Sequence, residues 1–357
     1  MRYAAASFLF LAGCMPALPS HSNGGPIFDD SQEEDPRCAD PSACGGGADG
    51  GGGGSSSCGA ETFPLGSSKI MPNIFFIVDA SGSMAATDYG IYDPTKWTGL
   101  QQAMNAVLDS HTGEAQFGLS IFPSGDAINS CNAGKVDVPV GANTEATIKG
   151  KIDGMSAASI YTRSGFTPTG ATMQAAEMVA GIKDTTRPNY VVLMTDGEPN
   201  CEGGDQVSVA APTKTVNAIT ALAAATPKVK TFVIGFGDVN NSDPDILNKF
   251  ATAGQTPRSG TTKYYPAQNA TELENAFDQI VSGVASCDYK LAKPPTDPTL
   301  VEPQFDGVPV VQNATNGFTY DTATQTISFH GAMCDKLKAR SVLKVEFLYG
   351  CAPAMVL

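Results

Sequence analysis

From residue 69 onward the chain alternates between two hydrophobic patterns, and before that residue it carries neither. A continuous apolar run of strand length lies at Asn73 to Val78 (Asn-Ile-Phe-Phe-Ile-Val) and predicts a central strand buried on both faces. Further strand candidates are Gln116 to Phe122, Tyr190 to Met194 and Thr231 to Phe236. Between them, apolar residues recur at helical spacing over Lys96 to Leu108, Glu145 to Met155, Thr169 to Ile182, Thr213 to Ala225, Asp245 to Ala253 and Glu272 to Val284. Strand, helix, strand at these intervals predicts an α/β fold over residues 69–286, a doubly wound, mainly parallel sheet flanked by helices. Parallel strands joined by helices place all their carboxyl ends on one edge, where polar groups can gather into a site. Residues 287–357 read as a small β-rich module. Turn signals lie at Asp306-Gly307 and Asn316-Gly317, and strands are expected at Thr326 to Phe329 and Val342 to Tyr349. The module is expected to pack on the α/β domain or to add a contact surface.

Residues 14–68 hold Gly45-Gly46-Gly47, Gly50 to Gly54, Ser55-Ser56-Ser57 and eight acids against the single base Arg37. Such a stretch buries too little apolar surface to offset its chain entropy, so a solvated tether is expected. Ahead of it, Arg2 precedes the short apolar run Ala4 to Leu11 and then Leu11-Ala12-Gly13-Cys14. Residues 1–13 are thus expected to be a signal peptide, shorter than the roughly 20 residues a spanning helix needs. The Leu-Ala-Gly-Cys ending resembles the lipobox of bacterial lipoproteins. That resemblance implies cleavage before Cys14, acylation of Cys14 and a bacterial envelope location, at an outer membrane or cell surface. An ordinary signal peptide with a cysteine beside its cleavage site is the rival reading.

Charge narrows the partners. The formal net charge is -14 and only 16% of residues are charged, which argues against nucleic acid or an anionic membrane held by a basic surface. Candidate chemistry falls at the predicted strand ends. Asp79-Ala80-Ser81-Gly82-Ser83 follows the first strand, Gly165-Phe166-Thr167-Pro168-Thr169-Gly170 opens a helix, and Met194-Thr195-Asp196-Gly197 ends another strand. Two carboxylates with hydroxyls suit a hard divalent cation, Mg²⁺ first, with Mn²⁺ or Ca²⁺ as alternatives. Two carboxylates cancel the ion's charge and no more, so a coordination position left to water can pass to a partner's Asp or Glu. The competing reading has these residues capping helices and satisfying turns.

The three motifs, in this order, resemble the von Willebrand factor A domain with its metal-ion-dependent adhesion site, over about residues 70 to 286. The resemblance implies that Ser81, Ser83 and Thr167 ligate directly or through water. It implies that Asp79 and Asp196 change between direct and water-bridged contact. Thr169 competes with Thr167 for the second motif's place, and a polar insert, Ala85 to Thr95, lies close to the site.

Nine cysteines in an exported chain leave eight after Cys14, an even number that predicts up to four disulfides. Cys131 and Cys201 both follow loops on the metal face and are expected to pair across its rim. The ends of an α/β domain lie together, which suggests Cys58 with Cys287, then Cys38 with Cys44 and Cys334 with Cys351. Zinc is disfavoured, since no Cys-x-x-Cys occurs and His21, His111 and His330 are scattered. No Gly-x-Ser-x-Gly elbow, phosphate loop or His-Glu-x-x-His is present, so the expectation is a binding protein and not an enzyme. It would engage a protein or other acidic ligand through the metal. The alternative is a structural spacer or envelope-assembly factor whose metal only stiffens the loops.

Overall fold

A computed structural model describes residues 67–85, 95–125, 128–163, 166–202, 208–237, 245–295 and 297–349. The expected signal peptide, Cys14, nearly all of the tether, Cys38, Cys44, Cys58, Cys351 and most of the polar insert lie outside the described residues. All the described residues belong to one compact unit, Cys58–Leu357.

In chain order the α/β part contains β1 (Ser67–Lys69), β2 (Asn73–Asp79), α1 (Lys96–Ser110), β3 (Gln116–Phe122), β4 (Lys135–Gly141), α2 (Glu145–Asp153), α3 (Ala157–Arg163), α4 (Thr169–Ala176), β5 (Asn189–Thr195), α5 (Ala211–Ala224), β6 (Val229–Phe236), α6 (Ile246–Ala253), β7 (Tyr265–Ala267) and α7 (Ala270–Val284). Six strands form one sheet in the order β4-β3-β2-β5-β6-β7. All neighbours are parallel except β4 on β3. Every residue of β2 is buried, as its unbroken apolar run requires. Ile74, Phe76 and Val78 face one core with residues of α1, α2, α3 and α7. Phe75 and Ile77 face a second core with α4, α5 and α6. This is the doubly wound arrangement expected, with helices on both faces.

Three departures have local causes. The predicted helix Thr169 to Ile182 is cut into α4 and a short 3₁₀ turn, Ala180–Ile182, because Gly181 presses on β4. A Cβ at Gly181 would lie 2.7 Å from the Val140 Cβ. Strand β4 carries Pro139 and buries only Val138, so it lacks a buried strand's apolar run, and its edge position tolerates the proline. Strand β1 pairs with the carboxyl-terminal module, antiparallel to β8, and not with the large sheet.

The module contains β8 (Asp288–Leu291), β9 (Val301–Phe305), β10 (Val308–Pro309), β11 (Phe318–Asp321), β12 (Thr326–Phe329), α8 (Ala332–Lys338) and β13 (Val345–Tyr349). These form two small sheets, β1-β8-β12-β11 and β10-β9-β13. They enclose a separate core of Leu291, Val301, Phe305, Ile327, Phe329 and Phe347 among others. Asp306 and Gly307 turn the β9-β10 hairpin with positive φ of 50° and 81°, the geometry a two-residue turn needs.

The cysteine pairing expected here is corrected. Cys287 bonds Cys334, with Cα atoms 5.4 Å apart, and so pairs with neither Cys58 nor, through Cys334, with Cys351. The cause is strand pairing. β12 lies antiparallel to β8, and the Phe329 N–H donates to the Cys287 carbonyl at 3.0 Å, so the chain running on into α8 passes back over Cys287.

Where the module meets the α/β part, Arg340 Nε donates to Glu114 Oε1 at 2.9 Å. Glu114 Oε2 lies 2.9 Å from His111 Nδ1, and His111 Nε2 lies 2.8 Å from Asp278 Oδ1. Lys338 Nζ donates to the Gly283 carbonyl at the end of α7, at 2.9 Å.

Candidate metal site

β2 delivers Asp79 to the carboxyl edge of the sheet, and the next residue turns away. The Ala80 N–H donates to the Phe122 carbonyl at 2.7 Å, and Gly82–Ala85 form a 3₁₀ turn. That turn folds Ser81 and Ser83 back toward the strand end. The Ser81 N–H donates to Asp79 Oδ1 at 2.8 Å, and the two serine hydroxyls lie 3.2 Å apart. β5 ends alongside β2. There the Thr195 hydroxyl donates to Asp79 Oδ2 at 2.6 Å, and the Ser83 hydroxyl donates to Asp196 Oδ1 at 2.9 Å. Asp79, Ser81, Ser83 and Asp196 are thus brought into one bonded group from two loops. Asp79 and Asp196 are buried while Ser83 is exposed, so the group has an open side.

The third loop is attached through Asn200. The Thr167 N–H donates to Asn200 Oδ1 at 2.8 Å, and the Asn200 N–H donates to the Thr167 carbonyl at 3.2 Å. Thr167 is thereby docked on the segment that carries Asp196. Thr169, the competing residue, begins α4, and its buried hydroxyl has no hydrogen-bond partner among the described residues. The expected bridge is present: Cys131 bonds Cys201, with Cα atoms 6.0 Å apart and both residues fully buried. The neighbours of these two cysteines hold the third loop on both sides. The Phe166 N–H donates to the Ser130 carbonyl at 3.0 Å, next to Cys131, and Asn200, next to Cys201, holds Thr167.

Electrostatics favour a cation here. Burial, and then the negative charge of Asp196, push the Asp79 carboxyl up to about 7, against hydrogen bonds from Thr195 and Ser81 that lower it. An acid held so far above its ordinary range gains strongly from a neighbouring positive charge. Among the described residues no group of three His, Cys, Asp or Glu side chains is arranged to hold a metal. The donors are two carboxylates and hydroxyls, oxygen only, which fits Mg²⁺, Mn²⁺ or Ca²⁺ better than a thiophilic ion.

Sequence reasoning missed three participants. Thr195 stands in the third motif yet received no role. Asn200 has no sequence signal. Lys96 Nζ donates to Asp196 Oδ2 at 2.9 Å, with both side chains buried. Its signal was available, since a lysine at the first position of a helix opposes the helix dipole and needs a separate reason to be there.

Residues 73–279 match the von Willebrand factor type A domain. No curated protein matches the chain. Among solved structures, proximal thread matrix protein 1 from the mussel byssus is similar at 19% identity, with TM-score 0.42, covering 62% of this chain and 50% of that one. The PilB minor pilin from Streptococcus sanguinis is similar at 16% identity, with TM-score 0.45, covering 61% of this chain and 62% of that one. Manganese-loaded Plasmodium vivax TRAP protein is similar at 16% identity, with TM-score 0.44, covering 67% and 87%. The chain thus spans less than two thirds of the mussel protein and of the pilin.

Proposed function

The chain belongs to the von Willebrand factor type A family, and from that premise we propose that its site takes a divalent cation and through it captures an acidic group on a protein partner. The observation that carries this reading is the buried pair Asp79 and Asp196, linked through Ser81 and Ser83 at the carboxyl edge of the sheet. Two carboxylates buried together with the ammonium of Lys96 on Asp196 are still short of positive charge, because each pays a desolvation cost and repels the other. Asp79, Ser81, Ser83, Thr167 and Asp196 would hold the ion, with Mg²⁺ the first candidate and Mn²⁺ or Ca²⁺ the others. When bound, the ion supplies a positive centre able to accept a carboxylate from outside. The protein's own groups do the rest. Thr195 and the Ser81 N–H aim the Asp79 carboxylate, Ser83 reaches solvent, and Asn200 holds the third loop in place.

The role is one of binding and not catalysis. We further read Leu11-Ala12-Gly13-Cys14 as a lipidation signal that fixes the chain to a bacterial envelope membrane through Cys14. The competing role is a structural spacer in which the cation only stiffens the loops. Calorimetric titration with Mg²⁺, with Asp79→Ala as control, tests the site, and wild-type heat with none from the variant is expected. Capture of envelope proteins with and without chelator then separates the roles. Metal-dependent stability without metal-dependent capture would leave only the spacer.

A further inference from the structure

Lys96 bears on how the site behaves before any divalent ion arrives. Its ammonium lies 2.9 Å from Asp196 Oδ2 while Ser83 occupies Asp196 Oδ1, so both oxygens of this carboxylate already receive donors. Lys96 is only 5% exposed, and a buried ammonium is retained where it is paired. It also stands at the first position of α1, whose N-cap Thr95 accepts from the Thr98 N–H. At that end of a helix the dipole disfavours a cation, so the helix does not account for it. The pairing with Asp196 does.

We infer that Lys96 is a resident counter-cation of the site, holding Asp196 in the metal-free protein and competing with the divalent ion for it. This rests on the proposed metal reading and deepens it. A lysine suits the task, since its ammonium is a point charge on a flexible four-carbon stem and can withdraw without backbone movement. Charge counting gives the same result. Without metal, two buried carboxylates share one ammonium. With metal they are already neutralised, and the ammonium becomes surplus positive charge. The lysine thus keeps the empty loops folded and sets a threshold of cation concentration below which the site stays closed to an acidic partner.

The test is calorimetric titration of the full chain with Mg²⁺ and with Mn²⁺, in wild type, Lys96→Met and Lys96→Gln, alongside melting in chelator. Two opposite shifts are expected. Both variants should bind the ions about tenfold more tightly or better, because a buried competing charge is gone. Both should melt lower than wild type in chelator, because Asp196 has lost its partner. A residue with a merely structural role would weaken stability and affinity together. Unchanged or weaker affinity in both variants, with wild type binding normally, would overturn the competition. Binding by the variants alone would support it in its strongest form. Absence of binding in all three chains would instead bring down the metal reading itself, and the competition with it. Lys96→Gln guards against a folding failure of Lys96→Met, since it keeps an uncharged hydrogen-bond donor, one bond shorter in reach.

Discussion

Two polar clusters occupy opposite edges of the same sheet, and they are balanced differently. At the amino edge, before β2 and β3 begin, Glu114 and Asp278 meet His111 and Arg340. Burial alone would raise Glu114, but hydrogen bonds from His111 and Arg340 and the charge of Arg340 more than offset it and hold Glu114 below its ordinary range. At the carboxyl edge, Asp79 and Asp196 meet one ammonium, and Asp79 rises. Acids met by enough hydrogen-bond donors make a joint, here between the module and the α/β part. At the carboxyl edge the acids are left short of positive charge, which is what the proposed cation would supply. Residue types alone do not separate the two, whereas the opposite directions in which Asp79 and Glu114 are pushed do.

The largest effect should follow from removing Asp79. In wild type, Mg²⁺ at a hundredfold excess over its Kd should add about 2.7 kcal/mol of stability, and Asp79→Ala should gain none, as read by melting with and without the ion. The same residue predicts a pH signature. Between the ordinary value of 3.8 and about 7, folded Asp79 binds a proton that the unfolded chain lacks, so in chelator stability should fall as pH rises through that window and level off above it. Asp79→Asn should flatten this segment of the profile, and an identical slope in wild type and variant would contradict the assignment. Glu114 works with the opposite sign. Its contribution is present above its unfolded value and is lost as pH falls through its lowered one.

Next, by its effect on cation binding, is the disulfide at the carboxyl edge. Cys131→Ser with Cys201→Ser should cost about 2 to 4 kcal/mol, measured by denaturant melting. It should also weaken Mg²⁺ binding, because the Thr167 loop is held from the backbone beside both cysteines. Loss of stability with undiminished affinity would show that the bridge only braces the fold. Smallest is the joint. Arg340→Ala should cost about 1 kcal/mol, because the pair is partly exposed and Glu114 keeps its bond to His111, and should leave Mg²⁺ affinity unchanged. A change in affinity would mean that the two edges are coupled.

The central strands and the site loops were legible in the sequence for one physical reason. A strand buried on both faces must be apolar throughout, so the polar residue that ends it stands out, as Asp79 does after Val78 and Asp196 after Met194 and Thr195. Strand β3 runs from Gln116 to Phe122, the bounds its sequence predicts. What escaped was decided by non-local packing. β4 buries too little to show a period. The break after α4 is set by contact with Val140, the partner of Cys287 is set by β8 lying on β12, and the Lys96 pairing joins residues a hundred positions apart. Helix spacing locates a lysine on a face without saying what lies across from it.

One pairing has a mechanical meaning. The chain reaches the large sheet only after β1 has been paired into the module, antiparallel to β8 from Ser67 with Leu291 to Lys69 with Tyr289. Tension arriving from the amino-terminal side would therefore pull that short ladder lengthwise, in shear, before it reached β2. The β-rich module would act as a strain relief, yielding first and sparing the carboxyl edge of the large sheet.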